Sequence, residues 1–126
     1  DSKATNPHAA DSSLRSYESI VWIVGGLLKG TSPRELISSH GQKLRGAVII
    51  GQDTGELERL FSEGLAELPV RVISGDRVMH QAVRAAMELA KPGDVVLLAP
   101  AAASMDQFQD YADRGNQFIE AVEDLK

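Results

Sequence analysis

Four short apolar runs punctuate the chain: residues 21–24 (VWIV), 47–50 (AVII), 70–73 (VRVI) and 95–98 (VVLL). Each has the length of a strand. They are largely continuous rather than alternating, as expected of strands covered on both faces. Between them apolar residues recur at helical spacing. Met79, Ala82, Val83, Ala86, Met87 and Ala90 predict one helix. Phe108, Tyr111, Ala112, Gly115, Phe118, Ile119, Val122 and Leu125 predict a long final one. Leu57, Leu60 and Phe61 mark a shorter helix, and Ala10, Leu14 and Tyr17 suit a first one. Start signals agree. Asn6-Pro7 places a cap before a Pro, and Ser32-x-x-Glu35, Asp53-x-x-Glu56 and Ser104-x-x-Gln107 read as capping boxes. The Lys91-Pro92-Gly93-Asp94 turn closes the helix before the last strand.

Strands alternating with helices predict an α/β fold: a doubly wound, mostly parallel, Rossmann-like sheet flanked by helices, in one domain over 1–126. Ligands in such sheets bind beyond the carboxyl ends of the strands. The segments there are 25–32 (GGLLKGTS), 51–55 (GQDTG), 74–76 and 99–106 (APAAASMD). The opening stretch 1–6 (DSKATN) leads into a helix start and is placed at the same edge.

Composition narrows the chemistry. Thirteen basic against 18 acidic residues give a net charge of −5, which argues against a nucleic-acid backbone binder. Without Cys there is no disulfide, thiol nucleophile or Cys-ligated zinc. At 43% hydrophobic and 25% charged, the chain reads as an ordinary globular domain. No apolar run approaches the ~20 residues of a membrane-spanning helix. The chain opens at Asp1 rather than Met, and we expect it to be a piece of something longer.

The loops offer anion chemistry, each with a plainer alternative. GGLLKGTS pairs flexible backbone with Lys29, either as an anion site or as a turn with a solvated Lys. It is not a phosphate loop, because G-x-x-x-x-G-K-[ST] needs Lys after Gly, whereas Lys29 precedes Gly30. In APAAASMD small side chains permit close approach, and Ser104 either helps a helix N-terminus bind an anion or only caps its own helix. Lys3 and Thr5 could hold an anion together, or form an ordinary turn. His8, His40 and His80 show no metal-ligand spacing and read as surface or helix-face residues; Trp22 reads as core. From the residues alone, this is an anion-binding α/β domain without a catalytic centre.

Three segments together resemble the C-terminal domain of the Mur ligase family: DSKATN at 1–6, GGLLK at 25–29 and LAPAAASMDQFQDYADRGNQF at 98–118. The last is the most specific, since the D-glutamate-adding branch reads L-S-P-A-x-A-S-x-D-x-F-x-x-F-x-x-R-G-x-x-F there. DSKA, where sister ligases usually have a D-Y-A-H-type start, points to the same branch. The resemblance implies one domain of a three-domain cytoplasmic enzyme of peptidoglycan precursor synthesis. That enzyme uses ATP and Mg²⁺ to phosphorylate the carboxylate of UDP-N-acetylmuramoyl-L-alanine, and the amine of D-glutamate then forms the amide. The phosphate loop, metal ligands and a carbamylated Lys would lie in the central domain. This stretch would carry no catalytic residue and be inactive alone, with neither nucleic acid nor membrane as partner.

By the same resemblance, Thr5, Lys29 and Ser104 would hold the two carboxylates of D-glutamate, with Met105 and Tyr111 beside it. Asp1 would accept hydrogen bonds from the ATP ribose, and Lys3 would reach toward the phosphates. Seven residues apart, Ser104 and Tyr111 are expected on one side of the final helix. The chain departs from the family at Ala99 (often Ser), Leu27-Leu28 (often Asp-Gly), Met105 (usually Leu) and Tyr111 (usually Phe). The alternatives are a non-catalytic α/β binding or regulatory module, or the matching domain of a sister ligase adding another amino acid.

Overall fold

The computed structural model describes residues 7–26, 33–101 and 107–125. Four strands, β1 (Ile20–Gly25), β2 (Leu44–Ile50), β3 (Val70–Val72) and β4 (Val95–Leu98), form one sheet in the order β3-β2-β1-β4. Every pairing is parallel. Helices α1 (Pro7–Arg15), α2 (Arg34–His40), α3 (Gly55–Gly64), α4 (Val78–Leu89) and α5 (Tyr111–Asp124) alternate with the strands, and a 3₁₀ turn over Gly41–Lys43 follows α2. The doubly wound α/β architecture is therefore present.

The apolar runs explain the layering. All six residues of β1 are buried, because successive side chains point to opposite faces and both faces are covered. Ile20, Trp22, Val24, Ala47 and Ile49 join Leu14 of α1, Leu36 and Ile37 of α2, and Leu57, Leu60 and Phe61 of α3 in one core. Trp22 meets Phe61 edge to face, with ring centroids 6.0 Å apart. Val21, Ile23, Val48 and Ile50 join Met79, Ala82, Val83 and Ala86 of α4 and Ala121 of α5 in the other. Each fully buried Leu, Ile or Phe contributes about 1.5–3 kcal/mol of transfer free energy, so these layers hold the sheet more than local propensity does.

Coverage on both faces holds for β1 and β2 but fails at β3. That strand is an edge of the described sheet, and Arg71 and Val72 are exposed. The final helix is also shorter than the spacing predicts. Residues 107–110 are turn and bend, and α5 begins at Tyr111. Its start is taken by Asp110, whose extended backbone lets the side chain accept the Asp113 N–H (2.8 Å), while Asp113 accepts the Gln109 N–H (3.0 Å). Tyr111 therefore opens α5, and Ser104, expected on the same helix, lies outside the described residues. At α3 the cap is Thr54 rather than Asp53, which instead accepts the Gly55 N–H. His40 is buried, not surface, and bonds Asp11 at 2.7 Å. His80 bonds Asp124 at 2.8 Å.

At the amino edge of the sheet, the Lys91–Asp94 turn forms as predicted. Gly93 takes a positive φ, and Lys91 donates its N–H to Asp94 Oδ2 (2.9 Å). Ser19 donates its hydroxyl to Asp94 Oδ1, which ties the entry of β1 to the entry of β4. The Ser19 hydrogen bond, then the Lys91 N–H, hold the Asp94 carboxyl below the ordinary value of 3.8. A hydrogen bond to His40 lowers Asp11 in the same way. A carboxyl depressed in the folded state adds stability above its unfolded pKa and loses it as pH falls through the folded one. The urea midpoint should therefore drop as pH falls from about 5 to about 2, and Asp94→Asn should shrink that drop. An unchanged acid limb in Asp94→Asn would remove Asp94 from this role.

Candidate functional site

The carboxyl ends of the strands gather unusual backbone. Gly25 and Gly26 end β1 with φ of +126° and +131°, and Gly51 follows β2 with +133°. Such angles are rarely open to residues with a side chain. At Gly25 a Cβ would also run into the carbonyl oxygen of Ile50. Past β4, Ala101 is buried and adopts a left-handed φ of 60°.

The sheet order places a topological switch here. The chain winds outward from β1 through β2 to β3, then returns to β4 on the other side of β1. The crevice between β1 and β4 is where such sheets bind ligands. Three hydrogen bonds draw the exit of β4 across the end of β1. Gly25 donates its N–H to Pro100 O (2.9 Å), Ala99 donates to Ile23 O (3.3 Å), and the buried Trp22 Nε1–H donates to Ala99 O (2.7 Å). The two segments richest in candidate chemistry thus leave from adjacent, bonded points.

A cavity of about 410 Å³ opens at the same edge, lined by Gln52, Gly75, Asp76, Arg77, Val78, Gln107 and Gln117. It brings residues following β2 and β3 against α5. Gln107 Oε1 is buried there without a hydrogen-bond partner among the described residues. Gln117 donates to the Asp113 carboxylate at 3.2 Å.

Of the sequence-predicted site residues, Tyr111 is described. It opens α5, is 44% exposed and does not line that cavity. Asp1, Lys3, Thr5, Lys29, Ser104 and Met105 lie outside the described residues. Two residues at this edge had no role in the sequence reading. Trp22 reads as core, and only the structure shows its indole fixing the exit of β4. Arg114 is fully buried, one turn into α5, and is engaged within the protein. Its Arg-Gly step within the family-like motif was the available signal. Among the described residues, no group of three His, Asp or Glu side chains could hold a metal ion. No described helix is long and apolar enough to cross a membrane.

Comparison with known proteins decides the lineage. The family described as "Mur ligase, glutamate ligase domain" matches residues 1–102. The chain belongs to the Mur ligase family. It is 56% identical over 125 residues to UDP-N-acetylmuramoylalanine--D-glutamate ligase of Leifsonia xyli subsp. xyli, covering 97% of this chain and 24% of that protein. The same-named enzyme of Streptomyces coelicolor is 50% identical over 129 residues, 99% of this chain and 27% of that protein. That of Mycobacterium avium is 45% identical over 150 residues, 97% and 31% respectively. The chain thus spans between about a quarter and a third of the length of these Mur ligases. Its four-stranded parallel sheet is the fold that the family resemblance implied.

The strand-end geometry makes a contrast between two glycines. Gly25→Ala should cost more than about 3 kcal/mol, from a forbidden φ plus a backbone clash. Gly93→Ala, at φ +95° but with no atom within 4 Å of the added Cβ, should cost about 1–2 kcal/mol. Urea denaturation of both variants measures this. Equal costs would show that β1 and β2 do not close as described.

Proposed function

We propose that this chain is the D-glutamate-binding, ATP-contacting C-terminal domain of a three-domain ligase that adds D-glutamate to UDP-N-acetylmuramoyl-L-alanine. The observation that carries the reading is the 56% identity to a D-glutamate ligase over 97% of the chain. The geometry of the crevice supports it. Lys29 lies four residues after Gly25, and Ser104 four after Pro100. Four residues span at most about 14 Å, and Gly25 and Pro100 are hydrogen-bonded. Chain connectivity therefore permits Lys29 and Ser104 to meet over one ligand.

In this reading the Lys29 ammonium is the counter-charge to one carboxylate of D-glutamate. Ser104 and Thr5 donate hydroxyl hydrogen bonds to the carboxylates, and charge-assisted bonds of this kind are the strong ones. Met105 and Tyr111 bound the ligand laterally, with the exposed ring of Tyr111 at the start of α5. Asp1 accepts from the ATP ribose, and Lys3 faces the phosphates. ATP, held with Mg²⁺ mainly by the other domains, would supply the phosphoryl group that activates the carboxylate of UDP-N-acetylmuramoyl-L-alanine, leaving as ADP. This domain's part is to hold the amine of D-glutamate facing that carbonyl carbon. The C–N bond forms, the C–O bond to phosphate breaks, and the amine gives up a proton. The gain is proximity and orientation, completed as the domains close. In this reading the enzyme works in the cytoplasm.

Steady-state kinetics of the full-length enzyme test the reading. Lys29→Ala should raise the KM for D-glutamate at least about tenfold, the loss expected when a charge-assisted contact is removed. The KM for UDP-N-acetylmuramoyl-L-alanine should stay within about twofold, as expected where no contact to that substrate is lost. An unchanged D-glutamate KM would remove Lys29 from the pocket.

A further inference from the structure

The outer edge of β3 combines three independent features. Its backbone is open. Pro69 O and Ile73 N–H bond β2 through Ala47 N–H and Ile49 O, so the two-residue period of the ladder turns the N–H and C=O groups of Val70 and Val72 outward. No described strand lies beside them. Grooves flank this edge on both faces of the sheet. On the α3 side, a groove of about 350 Å³ is lined largely by apolar side chains, among them Phe61, Leu65, Leu68, Val70 and Val72. On the α4 side, a groove of about 540 Å³ is lined by Arg71, Ile73, Arg77, His80, Gln81 and Arg84, with Asp76 and Glu88.

The charges of the second groove are uneven. Arg71 and Arg84 make no ion pair with any described residue, whereas Arg77 and His80 face Asp124 at 4.0 and 2.8 Å. Two guanidinium groups without an ion-pair partner among the described residues thus line this groove in a chain of net charge −5. A strand laid along β3 would drop alternate side chains into the two grooves, apolar ones on the α3 side and anionic ones on the α4 side. A second copy of this chain fits poorly. Pairing two β3 edges about a two-fold axis in the register that sets Val70 opposite Val72 would place Arg71 opposite Arg71, and like charges directly opposed destabilise a sheet.

We propose that the β3 edge is a docking site for an extended segment of another protein in which carboxylates alternate with apolar residues, bound by strand addition. This mode draws affinity from main-chain hydrogen bonds and specificity from alternate side-chain pockets. The β3 strand lies two places from β1 in the sheet, and its α4-side groove shares Asp76 and Arg77 with the cavity at the strand ends.

The probe is a fluorescein-labelled peptide, Glu-Val-Glu-Val-Glu-Val-Glu, titrated into the full-length protein by anisotropy, with amide exchange read at Val70 and Val72. Saturable binding with slowed exchange at both amides is expected. Arg71→Glu and Arg84→Glu, both at exposed positions, should each weaken binding about tenfold or more, and the Lys-Val counterpart should not bind. Val72→Pro removes an outward N–H and should abolish binding. Circular dichroism would confirm that each variant is folded. Absence of binding would overturn the proposal. So would binding that leaves the Val70 and Val72 amides unprotected, competition by inorganic phosphate alone, or self-association through this edge.

Discussion

Gly25 has room for a hydrogen atom and for nothing larger. Its φ of +126° and the Ile50 carbonyl pressed against its Cα fix how the two central strands end. Its N–H reaches Pro100 and thereby fixes how the last strand leaves. Trp22, buried three residues earlier, repeats the tie through its indole N–H to Ala99. Everything proposed for the crevice depends on this knot of backbone. Were β1 and β4 to part at their carboxyl ends, the segments holding Lys29 and Ser104 would have no common origin. The proposed ligand-binding role thus rests on strand geometry before any side chain enters.

Much of this was legible in the sequence. The runs at 21–24, 47–50 and 95–98 match β1, β2 and β4 because unbroken apolar stretches need cover on both faces, and a parallel sheet provides it. The helical stripes of α3 and α4 match because their apolar positions recur at the period of the helix. What escaped was decided by competition or by position in the sheet. Asp110 and Asp113 captured the start of α5 by capping each other's neighbourhood, a pattern hidden inside a longer periodic stretch. The run at 70–73 looks as apolar as the others, but the strand order leaves it at an edge, where Arg71 can face solvent. His40 is buried because Asp11, on the packed neighbouring helix, accepts its bond, a pairing across 29 positions that no local pattern reveals.

The candidate site divides along a similar line. Family likeness rather than physical pattern singled out Thr5, Lys29 and Ser104, since Gly, Lys and Ser in loops are common everywhere. The structure contributes what likeness cannot, namely the bonded strand ends from which those loops depart. On the proposed readings the two edges of the sheet take different tasks. The β1/β4 crevice, with its small residues and glycine turns, suits a compact dicarboxylate held against a second domain. The β3 edge, with backbone and arginines that no described residue pairs, suits a long partner held from outside.

The most direct measurement is a crystal structure of the full-length enzyme with D-glutamate and an unreactive ATP analogue. The account predicts the amino acid in the crevice beyond Gly25 and Pro100, with the Lys29 ammonium on one carboxylate and the Ser104 hydroxyl within hydrogen-bond distance of the ligand. D-glutamate seated elsewhere, or Lys29 and Ser104 on opposite sides of the domain, would contradict it.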